Sequence, residues 1–377
     1  MIIFRYLLKE VAKTQLAVFL VIMTIFISNK FVRVLDDASE GGIPGHLVMT
    51  FIGLKIPDLA GMILPLSFFL GVLLAYGRIY AENEMTVLHA CGVSEWYVVR
   101  VTLILGFVTA MITGMFTLYL SPMAAEYEYQ IKEQIAADSG LSSLIAGRFQ
   151  TTGNKKAVVF IHEKNRQDNT FEKVFVAQLP DKDQPNASVI DSSLVYAQNG
   201  QVVEEDSGTQ RLILSEGTRY QNDIENKQFR QVAFDKYYIQ IQDQKVAHKR
   251  RKLSAIPTAE LFQETTAEAS AESQWRIAFP LACIIMTLVA VPLSVVNPRQ
   301  GKFGKMLPAL LLFLSYFLLL TAIRSGIEKG TVPQLVGLWP VHLIVLILGT
   351  SLLVKSRKSG KKLKALLPSK TKNRAAV

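Results

Sequence analysis

Leu16 to Val32 reads LAVFLVIMTIFISNKFV, and only Thr24, Ser28, Asn29 and Lys30 in it are polar. The hydrocarbon core of a bilayer is about 30 Å thick and a helix rises about 1.5 Å per residue, so a spanning helix needs roughly 20 mostly apolar residues. With its neighbours the stretch meets that length. Arg5, Lys9 and Lys13 precede it as the positive end of a leader peptide would. The apolar run is too long for a leader, however, and Lys30, Arg33, Asp36 and Asp37 stand where small residues would flank a cleavage site. It reads as a retained span. Met1–Thr14, with Phe4, Leu7, Leu8 and Val11 set among those basic residues, has the pattern of an interfacial amphipathic helix leading into it.

Five more blocks pass the same test: Pro57–Tyr76, Tyr97–Leu120, Trp275–Val296, Met306–Ile323 and Leu338–Val354. Half of the 377 residues are apolar and the mean hydropathy is +0.26. The apolar residues are gathered towards both ends, leaving a polar middle. The expected fold is therefore a membrane protein with six transmembrane helices and a domain inserted between spans three and four. Its parts are 1–120 (entry helix and spans one to three), 121–274 (the inserted domain), 275–354 (spans four to six) and a basic tail, 355–377.

Basic loops tend to stay on the cytoplasmic side. Arg5, Lys9 and Lys13, then Arg299, Lys302 and Lys305, then nine basic residues from Lys355 to Arg374 all fall on one side of a six-span chain. That side is expected to be the cytoplasm, with both termini there and the middle domain on the other side of the membrane. The net charge of +10 is mostly this excess. Anionic lipid headgroups account for it, and no nucleic-acid partner is implied.

The middle reads as short strands: Ala157–Ile161, Val174–Ala177, Ser188–Tyr196, Gln201–Val203, Arg211–Ser215 and Gln228–Ile241. Asn199-Gly200 is a hairpin signal between two of them. This predicts an all-β sandwich, jellyroll-like fold or barrel. Helical connectors are expected at Ala124–Ala137 and Ala259–Gln274. Of the two cysteines, Cys91 falls in a loop and Cys283 inside a span, so they are not expected to pair. Asn186-Ala187-Ser188 fits a glycosylation acceptor, a motif short enough to arise by chance.

Catalytic signatures are missing. No phosphate-binding Gly-x-x-x-x-Gly-Lys-Ser/Thr loop, His-Glu-x-x-His or Gly-x-Ser-x-Gly occurs, and His46, His89, His162, His248 and His342 are scattered without a metal-ligand cluster. No enzyme, cofactor or metal is expected. Intramembrane charges are too few for a proton relay. If the chain moves something, a partner supplies the energy.

One loop stands out: Tyr76–Ser94, YGRIYAENEMTVLHACGVS, in which Arg78–Cys91 reads as a short helix stopped by Gly92. The pattern fits either a docking surface pushed by a separate ATPase or a plain connection between spans two and three. This loop, VPLSVVNPRQG at Val291–Gly301 and the N-terminal MIIFRYL closely resemble the lipopolysaccharide export permease family (LptF/LptG), with the closer likeness to its LptF branch. The order of three spans, β domain and three spans matches as well. The likeness covers nearly the whole chain.

That resemblance implies a permease subunit of an ABC-type exporter, paired with a second, paralogous permease. It further implies a homodimeric ATPase beneath the pair, which binds the ATP, and a single-span partner with a periplasmic β domain. Lipopolysaccharide would leave the inner membrane along a bridge of β-jellyroll units. Glu84 matches the family's coupling glutamate, with Arg78, Met85 and His89 beside it on the expected coupling helix. Lys30 and Arg33, three residues apart on one helix face, would meet lipid phosphates; Arg324 is a further candidate, with Lys329 nearby. Phe160, Phe175 and Phe234, with Tyr196 and Phe229, are candidates to line an acyl-chain groove. A different class, a membrane-anchored structural or sensor protein whose β domain binds a protein, leaves six spans and a docking helix without a purpose. Lipoprotein-releasing permeases carry their large outer domain after the first span, whereas here it follows the third.

Overall fold

The computed structural model describes residues 2–39, 43–138, 146–147, 149–151, 157–165, 170–178, 193–204, 210–223, 228–241, 252–296 and 305–356. Asn186-Ala187-Ser188, the loop residues Arg299 and Lys302, the end of the Val291–Gly301 motif and the tail beyond Ser356 lie outside the described residues. The chain divides into a helical unit, Met1–Val34 with Met49–Tyr127 and Arg251–Val377, and a second unit made of Leu35–Val48 and Glu128–Arg250.

The helices are α1 (Ile2–Ser39), α2 (Val48–Ala81), α3 (Glu84–Ala90), α4 (Glu95–Met115), α5 (Ser121–Asp138), α6 (Thr258–Leu261), α7 (Ala267–Leu293), α8 (Met306–Glu328) and α9 (Trp339–Ser356). Among the described residues, five stretches are long and apolar enough to cross a membrane: Ile2–Ser39, Gly45–Ala81, Glu95–Ile135, Ala267–Leu293 and Met306–Glu328. The sixth expected span is α9, an apolar helix of 18 residues. At 1.5 Å per residue it is about 27 Å long, close to the hydrocarbon thickness.

Helix ends differ from the hydropathy limits because capping, not apolarity, sets them. Ser94 caps α4 by accepting from the Tyr97 amide, and Thr266 caps α7 by accepting from the Ala269 amide, both at 3.2 Å. The connector expected at Ala259–Gln274 is therefore split into the short α6 and the first turns of α7. The connector at Ala124–Ala137 is α5, which continues from α4 through a wider, π-type turn at Phe116–Leu120. The entry segment is no separate interfacial helix: it is continuous with span one in α1, and Leu7 and Val11 are buried in the protein core instead of facing lipid.

α7 lies at the centre of the helical unit, against α4, α8 and α9. Between membrane helices close packing replaces the hydrophobic drive, and small residues permit it. A Cβ on Gly71 of α2 would lie 2.8 Å from the Gln15 Cα of α1, and one on Gly106 of α4 would lie 2.6 Å from the Thr287 hydroxyl of α7. Replacing Gly71 with leucine is expected to force α1 and α2 apart, costing about 1–3 kcal/mol. Gly53→Ala, where the added carbon meets nothing within 4 Å, is expected to be neutral or stabilising. Unfolding temperatures in detergent compare the two, and an unchanged value for Gly71→Leu would contradict the close approach.

The second unit carries β1 (Phe149–Thr151), β2 (Ala157–Asn165), β3 (Thr170–Gln178), β4 (Ser193–Glu204), β5 (Gln210–Asp223) and β6 (Gln228–Ile241), antiparallel and adjacent in sequence order. The β domain expected between spans three and four is present. Its described strands form one meandering sheet, not the strand order of a two-sheet jelly roll. Nor is Asn199-Gly200 a hairpin turn: β4 runs through it.

The reason is a crease. The pairing of β2 with β3, β3 with β4, β4 with β5 and β5 with β6 is interrupted in one row, at His162, Lys173, Gln198, Glu216 and Asp235, all exposed. Lys173 and Glu216 have φ of 50° and 56°, a left-handed conformation that cannot continue the pleat. Side-chain alternation slips by one position there: the inner residues are Phe171 then Val174, Ala197 then Gly200, Leu214 then Gly217. Glycine is required on the inner side of the fold, since a Cβ at Gly217 would lie 2.4 Å from the Tyr196 carbonyl oxygen. Doubling along this row explains how one sheet buries Val159, Ile161, Phe171, Val174, Val195, Leu212 and Leu214 to 1% exposure or less.

Candidate coupling site and a buried charge cluster

α2 stops because Asn83 adopts a left-handed conformation, φ 63°, which asparagine tolerates better than most residues. A new helix starts at Glu84. It ends where expected, at Gly92 with φ 94°, closed by bonds from the Gly92 amide to His89 and from the Val93 amide to Leu88. The single helix expected over Arg78–Cys91 is thus two pieces, with Arg78 in the last turns of α2. Glu82 lies before the break and Glu84 after it, as the first residue of α3.

Seven residues are too few for a helix to persist alone, so α3 depends on its anchors. Met85 is fully buried in the helical core. The His89 Nδ1 lies 2.7 Å from the Val93 carbonyl, and its ring faces Tyr80 at 6.5 Å. The Tyr6 hydroxyl donates to Glu84 Oε2. One turn further along α1, Glu10 accepts from Arg78 at 2.5 Å. Thr86, Val87 and Ala90 point outward, and Glu84 is half-buried. The structure therefore brings Arg78, Glu84, Met85 and His89 together on the α2–α3 turn, with Met85 as an internal anchor and no part of the outer surface.

Lys30 is half-buried and Arg33 exposed near the far end of α1, and no hydrogen bond or ion pair reaches either among the described residues. Arg324 stands differently. Its guanidinium donates to Glu272 at 2.8 Å and to Glu328 at 2.9 Å, and lies 4.8 Å from the centre of the Trp275 ring. Glu272 also receives Arg276, whose remaining donors reach the carbonyls of Leu253, Ser254 and Ile256 and the Thr258 hydroxyl at 2.8–3.3 Å. Lys329 follows α8 directly and is exposed.

The proposed groove aromatics are split by the sheet. Phe234 is on the inner face beside Tyr237, ring centres 5.2 Å apart. Phe160, Phe175 and Tyr196 are cross-strand neighbours on the opposite face, where Phe149 stacks on Phe160 at 4.7 Å. The Phe229 side chain lies outside the described residues.

Residues 5–355 match the family model described as lipopolysaccharide export system permease LptF/LptG. The chain belongs to the LptF/LptG family. It is 37% identical over 348 residues to the lipopolysaccharide export system permease protein LptF of Escherichia coli K12, an alignment spanning 92% of this chain and 93% of the relative. The LptF of Shigella flexneri matches to the same extent. The resemblance to the LptF branch read from the loop motifs is borne out.

For an LptF/LptG-family permease the sequence pointed to Glu84 but passed over Tyr6, Glu10, Glu272 and Arg276. The i,i+4 spacing of Glu272 and Arg276 on a helix was a readable signal. Their burial was not, since Glu272 lies in what reads as a polar connector and Arg276 at the very start of the fourth span.

Proposed function

We propose that this chain, an LptF/LptG-family permease for lipopolysaccharide export, works in the bacterial inner membrane beside a second, paralogous permease, and that a homodimeric ATPase in the cytoplasm drives it through α3. It binds no nucleotide itself. The observation that carries this reading is α3: a short helix between two spans, detached from α2 at Asn83, buried through Met85, and presenting a half-exposed carboxylate at its start. Such an element moves as a body when pushed. The basic flanks of the helices support placing it in the cytoplasm and the β unit in the periplasm, where a single-span partner with its own β domain would receive the lipid. Purifying the chain from its native membrane with its neighbours tests this. Mass spectrometry is expected to find an ATPase, a second permease and bound lipopolysaccharide. A chain isolated alone, carrying only ordinary phospholipid, would sink the proposal.

Lys30 and Arg33 form the lipid-phosphate contact in this reading. Their positions one turn apart, without partners among the described residues, leave both cations available, and a guanidinium offers two parallel donors to a phosphate. Each lost charged contact weakens binding by about tenfold. Reversing both charges is expected to lower photo-crosslinking of lipopolysaccharide by that order or more while the ATPase still docks; unchanged crosslinking returns these residues to membrane anchoring. Arg324, held by Glu272 and Glu328, is better placed to fix the outer end of α8 than to take a phosphate.

A further inference from the structure

We infer that Tyr6 and Glu10 of α1 clamp the α2–α3 turn, so that a push on α3 is delivered to α1; this rests on the reading of α3 as the driven element. The two contacts straddle the break at Asn83: Tyr6 holds Glu84 after it, and Glu10 holds Arg78 before it. The backbone ladder of α2 ends with the Glu82 amide on Arg78 and the Asn83 amide on Tyr80, so α2 transmits little torque into α3. α1, in contrast, is one unbroken helix of 38 residues. From Tyr6 to Lys30 it runs about 36 Å at 1.5 Å per residue. Leu7 and Val11, between and beside the two polar contacts, are buried in the same core as Met85. Movement of α3 that keeps this core packed must carry the start of α1 with it, and a continuous helix carries it to Lys30 and Arg33.

The clamp leaves the docking surface open. A carboxylate accepts on both oxygens. Tyr6 uses Oε2, and Oε1 has no hydrogen-bond partner among the described residues. A cation from the ATPase can take Oε1 while Tyr6 keeps Oε2, so docking does not require the clamp to open.

The test uses the whole exporter, co-purified with its ATPase and second permease and reconstituted in vesicles. Tyr6→Phe removes one oxygen and keeps the ring. It is expected to leave the complex assembled and to lower lipopolysaccharide release per ATP hydrolysed by about tenfold, the weight of one hydrogen bond to a charged group. Arg78→Glu is expected to lower the same ratio with the complex still assembled, and Glu10→Arg combined with it to restore most of the loss, which damage unrelated to this ion pair would not show. If Tyr6→Phe and Arg78→Glu both leave the ratio at the wild-type value while Glu84→Arg still breaks the complex, the clamp is wrong and the driven element stands. If Glu84→Arg also leaves assembly and export intact, the reading of α3 fails and the clamp falls with it.

Discussion

Exchanging Glu84 for arginine is expected to separate the ATPase from the permease and stop lipid export. A carboxylate that receives an arginine or lysine of a partner in a charge-assisted bond contributes about 1.5–3 kcal/mol. Reversal does more than delete this: it sets like charges against each other across the interface, which costs several kcal/mol, and it ejects the Tyr6 hydroxyl from its acceptor. A loss of about 3 kcal/mol already lowers affinity by more than a hundredfold. Glu84→Gln keeps an oxygen for Tyr6 but loses the charge, and a loss of about tenfold is expected. Co-purification of the ATPase and lipid release from vesicles report the two steps separately. Full retention of both by Glu84→Arg would leave α3 as a plain connection between spans.

The second large effect is expected at Arg276, which is 3% exposed. Its side chain ties the segment Leu253–Thr258 to α7 through three backbone carbonyls and the Thr258 hydroxyl, while pairing with Glu272. Removing one member of a buried charged network costs about 3–5 kcal/mol, because the groups left behind remain desolvated. Arg276→Met keeps the stem volume but strands those carbonyls, so the unfolding temperature in detergent is expected to fall sharply and proteases to cut within 252–261. Lysine is expected to rescue little, since its compact ammonium lacks the planar fork that reaches several acceptors at once. Arg324→Met is expected to cost less, because Arg324 is partly exposed and Glu272 keeps Arg276. A small change for Arg276→Met would mean that water replaces the guanidinium at this end of the bundle.

Legibility from sequence followed the length scale of the signal. Spans were readable because twenty apolar residues in a row have few soluble uses, and five of the six proved long and apolar enough. Glu84 was reached through the likeness of Tyr76–Ser94 to a family motif, and the match over residues 5–355 supports that likeness. Failures came where two local rules competed. Asn199-Gly200 has the chemistry of a hairpin turn, yet both strand halves pair onward with β3 and β5, and those ladders outweigh the local preference. Arg78–Cys91 has no helix breaker as strong as proline, and one asparagine in a left-handed conformation divides it.

The sequence by itself determined the membrane class, the place of the β domain, the family and the end of α3 at Gly92, because hydropathy, turn chemistry and motif are properties of neighbouring residues. Only the tertiary structure decided that Tyr6 reaches Glu84 across 78 positions and Arg324 reaches Glu272 across 52. It also decided that the sheet doubles along the row from His162 to Asp235. Hydrogen bonds and burial depend on which faces meet once helices and strands pack, and no local pattern of residues encodes that meeting.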